Sequence, residues 1–231
     1  VLDAAGRPVS DTAVRLQGAS RSYGSGPVVH ALRPTDLTIE HGSYSAVVGP
    51  SGSGKSTLLN LIGLLDAPTA GEVYIGDTPT ASLSAGRRTL LRGRSIGFVF
   101  QAFHLLEERT VRANVELGLL YQGARRRERA HRADEVLDAV GLGERRSAFA
   151  RTLSGGERQR AAIARALASD ADVLLCDEPT GNLDQDTGRS ILELLRELHG
   201  SGKTIVAVTH DPTVAAEAEQ VITLVDGAVQ S

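Results

Sequence analysis

Apolar residues over the first hundred positions come in short runs rather than long helical stripes. Ala13 to Leu16, Val28 to Leu32 and Leu37 to Ile39 read as short strand-like pieces. Ser43 to Val48 is an apolar run opening into glycines, the pattern of a buried parallel strand. The period then becomes helical: Lys55 to Leu65 predicts a helix with Leu58, Leu59, Ile62 and Leu65 on one stripe. Glu72 to Ile75 and Ile96 to Phe100 predict further strands. Arg125 to Val140 predicts a helix ended by Gly141, and Glu157 to Ala168 a second one rich in alanine and arginine. Strand and helix alternate again beyond it, with Val173 to Cys176 a strand, Thr187 to His199 a helix closed by Gly200, and Thr204 to Thr209 a strand. Val221 to Val225 and Ala228 to Val229 flank Asp226-Gly227, a hairpin signal. The expected fold is α/β, with a small β part early and a helical insertion at about 103–168. Residues 1–12 have no periodicity and predict a flexible arm, leaving 13–231 as one domain.

Composition narrows the function classes. Of 231 residues, 25 are Lys or Arg and 28 Asp or Glu, so the formal charge is −3. That near-balance argues against a nucleic-acid binder working through a wide basic face. The single cysteine, Cys176, excludes an intramolecular disulfide and zinc sites built on Cys pairs, and it reads as a small core hydrophobe. No run approaches the ~18 apolar residues of a membrane span. The first residues lack the basic start and apolar core of a signal peptide, so a soluble, cytosolic chain is expected. The one basic run, Arg125, Arg126, Arg127, Arg129 and Arg132, is interleaved with Glu128. It reads as a solvated helix face or, alternatively, a contact for lipid head groups.

The chemistry starts at Gly49-Pro50-Ser51-Gly52-Ser53-Gly54-Lys55-Ser56, followed by Thr57, which fits G-x-x-x-x-G-K-[ST] between a predicted strand and a predicted helix. Glycines let successive backbone N–H groups curl around a phosphate, and the helix start adds partial positive charge. Lys55 can reach the β- and γ-phosphates, and the Ser56 hydroxyl can ligate Mg²⁺. A Gly/Ser linker is the bland alternative, and the strand–loop–helix context argues against it. Downstream, Val173 to Glu178 is an apolar strand ending in two carboxylates. Asp177 suits a magnesium shell, and Glu178, on the other side of the pleat, could polarise a water for attack on the γ-phosphate. An acidic pair capping the turn at Pro179 is the alternative for those two alone. No Asn-Lys-x-Asp run is present, which disfavours a GTPase.

Leu153-Ser154-Gly155-Gly156-Glu157, followed by Arg158-Gln159-Arg160, completes a set that resembles the ABC-type ATPases in order and spacing, over about Val14 to Val229. Ser154 and two glycines before a helix also read physically as a second anion-binding helix start. The resemblance implies a P-loop NTPase core of RecA type, an N-terminal antiparallel β subdomain and an inserted α-helical subdomain. It implies ATP and Mg²⁺ as ligands, with the metal shell drawn from Ser56, Gln101 and Asp177. It also implies a head-to-tail homodimer in which Leu153 to Glu157 act on the nucleotide of the opposite subunit. Gln101 looks like the glutamine that touches Mg²⁺ and the attacking water, and Asp184 like the aspartate at the dimer interface. His210 looks like the histidine that positions the γ-phosphate, and Tyr23 like the aromatic that stacks on adenine. A lone histidine or tyrosine can equally be structural. Two departures are Glu157, where the family often has glutamine, and Asn182-Leu183-Asp184, where it often has Ser-Ala-Leu-Asp.

Asp177 to Asp184, Ile96 to Gln101 and Val47 to Asn60 further resemble the MacB/LolD/FtsE group. That implies a transmembrane permease partner, a place at the inner face of the cell membrane, and no nucleic acid. Amino-acid importers and a cell-division ATPase of the FtsE type remain as alternatives. The chain ends soon after Val229, which disfavours the regulatory domain of sugar importers. Phe103, Leu105 and Leu106, just after Gln101, either pack the insertion onto the core or line a groove for a cytoplasmic helix of the permease.

Overall fold

The computed structural model describes residues 11–24 and 26–230. The arm expected over residues 1–12 therefore lies outside the described residues up to residue 10. A strand is already formed at Thr12, and the Asp11 carbonyl accepts the His41 amide at 2.7 Å. In chain order the elements are β1 (Thr12–Tyr23), β2 (Val29–Glu40), β3 (Tyr44–Val48), α1 (Lys55–Ile62), β4 (Ala70–Ile75) and β5 (Thr78–Pro79). Then come α2 (Ala85–Ser95), β6 (Ile96–Phe100), α3 (Val111–Glu116), α4 (Arg126–Ala139), α5 (Gly155–Ala168) and β7 (Val173–Asp177). The last elements are α6 (Gln185–Gly200), β8 (Thr204–Val208), α7 (Pro212–Ala215), β9 (Gln220–Val225) and β10 (Ala228–Gln230). Among the described residues, no helix is long and apolar enough to cross a membrane.

Two sheets form. One is antiparallel, in the order β2-β1-β4-β5; the other runs β10-β9-β3-β8-β7-β6, parallel except for β10. Alternation along the parallel strands divides the core in two. Val173 and Leu175 of β7 join Val206 and Val208 of β8 in a core with α1 and the antiparallel sheet. Leu174, Cys176, Ile205 and Ala207 face the other way, onto residues of α3 to α6. Burial on both faces is why these strands read as unbroken apolar runs. α1 is too short to persist alone, so its four buried residues, Leu58, Leu59, Leu61 and Ile62, hold it by packing. Each contributes ~1.5–3 kcal/mol when fully buried.

Several sequence expectations need correcting. α1 ends at Ile62, three residues early: the chain turns left-handed at Leu64, φ +54°, and Gly63 before it backs onto the Phe98 ring, where a Cβ would meet Phe98 Cζ at 2.4 Å. Leu65 is consequently 48% exposed, and Leu61 takes the fourth core position. The strand-like pieces before Glu40 are two twelve-residue strands whose register shifts break their alternation. Gly200 does not close α6 from outside; it is the last helical residue, and the left-handed turn falls at Gly202, φ +94°.

Candidate functional site

Four loops that carry the candidate residues leave the same edge of the parallel sheet. Val47, Val208, Asp177 and Phe100 lie in one row across β3, β8, β7 and β6. The next residues along each chain are therefore brought together: the phosphate loop after β3, Thr209 and His210 after β8, Glu178 after β7 and Gln101 after β6. This is where open α/β sheets bind ligands. The cleft they form, about 660 Å³, is lined by Lys55, Ser56, Gln101, Asp177 and Glu178, with Asp226 and Gly227 on its wall.

The loop before α1 needs glycine at two places for lack of room. A Cβ on Gly49 (φ +149°) would meet the Leu224 carbonyl at 2.1 Å, and one on Gly54 (φ +104°) the Ala31 carbonyl at 2.3 Å. Lys55 folds back, its Nζ donating to the carbonyls of Gly49 and Pro50, each at 2.9 Å. α1 has no side-chain cap and no acidic residue in its first turn, so the amides of Lys55, Ser56 and Thr57 point out with no acceptor among the described residues. That is an anion cradle. The Gly227 amide steadies it by donating to the Ser53 carbonyl at 2.9 Å. The Asp226-Gly227 turn was legible only as a hairpin; both residues have positive φ, as a tight hairpin turn requires.

Asp177 is half-buried and accepts no hydrogen bond among the described residues. Burial and then the neighbouring Glu178 push its carboxyl above the usual range, with Lys55 offsetting part of the shift. Such a carboxylate is a ready cation ligand. Among the described residues no group of three His, Cys, Asp or Glu side chains could cage a metal. Asp177, Ser56 and Gln101 on one cleft therefore fit an ion that takes its remaining ligands from phosphate and water, as Mg²⁺ does.

Glu178 sits at φ +46°, a left-handed conformation rare for its type and common at functional sites. It is held firmly. Thr209 Oγ1 donates to Oε2 at 3.1 Å, the His210 amide to Oε1 at 3.1 Å, and His210 Nδ1 lies 2.6 Å from Oε1. The bond to Glu178, and then that carboxylate's charge, raise His210 above its ordinary 6.5. Thr209 was not anticipated; only its place beside His210 could have suggested it.

Gln101 is tied to a residue the sequence reading treated as a mere departure. Its Nε2 donates to Asn182 Oδ1 at 3.2 Å, and Asn182 Nδ2 donates to the Gln101 carbonyl at 2.9 Å. Asp184 caps α6, accepting from the Thr187 amide at 3.0 Å and hydroxyl at 2.6 Å. Ser154 caps α5 in a reciprocal box with Glu157, whose other oxygen accepts Arg145 Nε at 2.8 Å. The second glycine has a reason within the chain: a Cβ on Gly156 would meet Thr187 Cγ2 at 2.5 Å. Leu153 is buried, and the segment Leu153 to Glu157 does not line the cleft of its own chain. Nor does Tyr23, whose hydroxyl donates to Asp66 at 2.8 Å and whose ring lies 4.5 Å from the Arg21 guanidinium.

A family model described as ABC transporter matches residues 32–181. The chain is 50% identical over 215 residues to a macrolide export ATP-binding/permease protein, MacB, of Rhodopseudomonas palustris (strain BisB18), covering 93% of this chain and 33% of that one. It thus spans about a third of the length of such curated relatives. An ABC transporter ATP-binding protein of Thermotoga maritima is 48% identical over 202 residues, covering 87% of this chain and 86% of its own. Among solved structures, the dimeric bacterial ABC transporter cassette MJ0796 superposes with a TM-score of 0.85 at 43% identity, over 94% of this chain and 97% of that one. A post-hydrolysis dimer of that cassette, bound to ADP and Pi, gives a TM-score of 0.86, again at 43% identity and covering 94% and 97% of the two chains. A phosphate cradle, two strand-end carboxylates and a serine-capped helix that opens on two glycines, in one α/β frame, agree with these likenesses, and the chain belongs to the ABC transporter family as an ATP-binding cassette.

Proposed function

We propose that this chain binds ATP in the cleft, hydrolyses it, and uses the resulting cycle of pairing and release to drive a membrane permease from the inner face of the cell membrane. The observation that carries the reading is the convergence of Lys55, Asp177, Glu178, Gln101 and His210 at one sheet edge. Lys55 and the outward amides of α1 would hold the β- and γ-phosphates. Ser56, Asp177 and Gln101 would hold Mg²⁺, which when bound neutralises phosphate charge. Glu178 would orient a water for in-line attack on the γ-phosphorus and accept its proton, while the bond to the bridging oxygen breaks. His210 would set the Glu178 carboxylate and face the γ-phosphate. Tyr23 would stack on adenine with the ring face that Arg21 does not cover. Leu153 to Glu157 lie outside their own cleft, so they would complete the cleft of a second copy head to tail, with Asp184 at that interface. The likeness to macrolide export ATP-binding/permease proteins supports a permease of that type as the partner.

The test is paired. Glu178→Gln should keep ATP binding and lose turnover by ~10²–10⁴, the range of a general base. Lys55→Ala should lose tight ATP binding as well. Steady-state hydrolysis near the unmodified rate in Glu178→Gln would remove Glu178 from the reaction.

A further inference from the structure

The loop that follows Gln101 is strained, and a distant arginine holds it. Phe103 and His104 both have positive φ, +60° and +49°, although neither is glycine. Left-handed residues of this kind occur singly as a rule, because Cβ crowds the following carbonyl. The His104 amide closes back on the Ala102 carbonyl at 2.6 Å, which makes Phe103 the centre of the rarer, strained form of the γ-turn. The Phe103 amide meanwhile donates to the Phe100 carbonyl at 3.1 Å. A turn wound this tightly persists only where its surroundings over-determine it.

Arg165 does so from α5, about sixty residues away in sequence. One of its terminal nitrogens donates to the Phe103 carbonyl at 2.8 Å and the other to the His104 carbonyl. The guanidinium fork thus grips the two carbonyls of the two left-handed residues. It has no carboxylate partner among the described residues, and burial lowers its affinity for the proton. A half-buried charge of this kind is costly unless hydrogen-bonded. Among the described residues its side-chain hydrogen bonds go to this turn alone.

We propose that Arg165 is a positioning residue: by clamping the Phe103-His104 turn it fixes where Gln101 enters the nucleotide cleft. The Asn182 pair anchors Gln101 from one side, and the clamped turn anchors it from the other. Arg165 lies on the helix that Ser154 caps, so any tilt of α5 reaches the Gln101 loop through two hydrogen bonds. Gln159 of the same helix donates to the Pro179 carbonyl, next to Glu178, at 2.6 Å. α5 is therefore a bar joining the Ser154 segment to both strand ends that carry the reaction. This inference rests on the proposed hydrolysis for its kinetic consequence but not for its structural one.

The experiment uses the 231-residue chain with Arg165→Lys, which keeps the charge and loses the fork. In the nucleotide-free protein, amide hydrogen exchange at Phe103 and His104 should quicken at least tenfold, while exchange in β7 stays unchanged. The kcat for ATP should fall about tenfold with KM within twofold, and Gln101→Ala should cost no further factor in the Arg165→Lys background. Unchanged exchange at both amides would overturn the clamp, whatever the kinetics. Losses that multiply in the double variant would overturn the route through Gln101. Should Arg165→Lys melt more than 10 °C lower, Phe103→Gly is added to it: glycine takes the φ of +60° without strain and needs no clamp, so the double variant should regain most of the lost kcat, and a kcat that stays low would overturn the proposal. A failure of Glu178 as the base would leave the exchange result standing, so the two readings fail separately.

Discussion

At the scale of single residues, the site is an arrangement of groups held in positions they would not adopt alone. Glu178 is wound left-handed and gripped by Thr209 and His210. Its bond to exposed His210 has a measurable consequence. The folded-state affinity of His210 for the proton is raised above the ordinary 6.5, so the pair's contribution to stability is full below pH 6.5. It is lost as pH climbs through the raised folded value. NMR titration of the nucleotide-free chain should show a His210 midpoint above 6.5, and Glu178→Gln should return it toward 6.5. A midpoint that does not move in Glu178→Gln would mean the 2.6 Å contact is not made in solution. Residues of this site were legible where a motif prescribes them: Gly49 to Thr57, Asp177 and Glu178 carry their chemistry in their spacing. Thr209, Asn182, Gly227 and Arg165 were not, because each acts through a partner far along the chain.

At the scale of elements, legibility follows packing. β3, β7 and β8 bury both faces and announce themselves as apolar runs. α2 buries no residue, so it has no stripe to betray it, and only Ser84 at its cap marks where it starts. α3 is six residues long, capped by Thr110, too short for a helical period to show. Leu105 packs on the helical core, as the packing reading of the apolar run after Gln101 expects, while Leu106 is 50% exposed. The start of α5 shows how one element constrains another. Gly156 lets α6 approach so closely that any Cβ meets the Thr187 methyl. Gly156→Ala gains helix propensity of ~1 kcal/mol, yet overpacking here should cost more, for a net loss of ~1–2 kcal/mol. Thr187→Ser removes the methyl and keeps the hydroxyl that Asp184 accepts, so it should restore most of that loss in the double variant. Urea denaturation of the four proteins checks this; losses that simply add would place the strain elsewhere.

At the scale of the whole molecule, of the two helix starts that read as anion-binding, only that of α1 lines the cleft of its own chain. The start of α1 lines the cleft of its own chain, and the amides of Gly155 and Gly156 have no acceptor among the described residues and do not line it. In the capping box the Ser154 oxygen accepts the Glu157 amide and its O–H remains to donate, so what this end of α5 offers a partner is that hydroxyl, backbone N–H and the positive end of its dipole. A triphosphate carries more negative charge than Lys55 alone can neutralise, so a second copy presenting this end would bind it more tightly than either copy alone. Pairing should therefore depend on nucleotide and be undone by its loss. In light scattering the unmodified chain without nucleotide should have a mass near 24.3 kDa. Glu178→Gln with saturating ATP and Mg²⁺ should move to twice that mass, since the bound triphosphate persists. Ser154→Arg in the same background should stay at the lower mass, because a bulky side chain at the start of α5 would block the approach of its amides to the partner's triphosphate. ATP binding by that double variant should remain measurable, since Ser154 lies outside its own cleft and Glu178→Gln alone keeps ATP binding. A Glu178→Gln mass that stays monomeric with ATP saturated would leave each cleft working alone and end the head-to-tail reading; a dimer that survives Ser154→Arg would move the interface to another face.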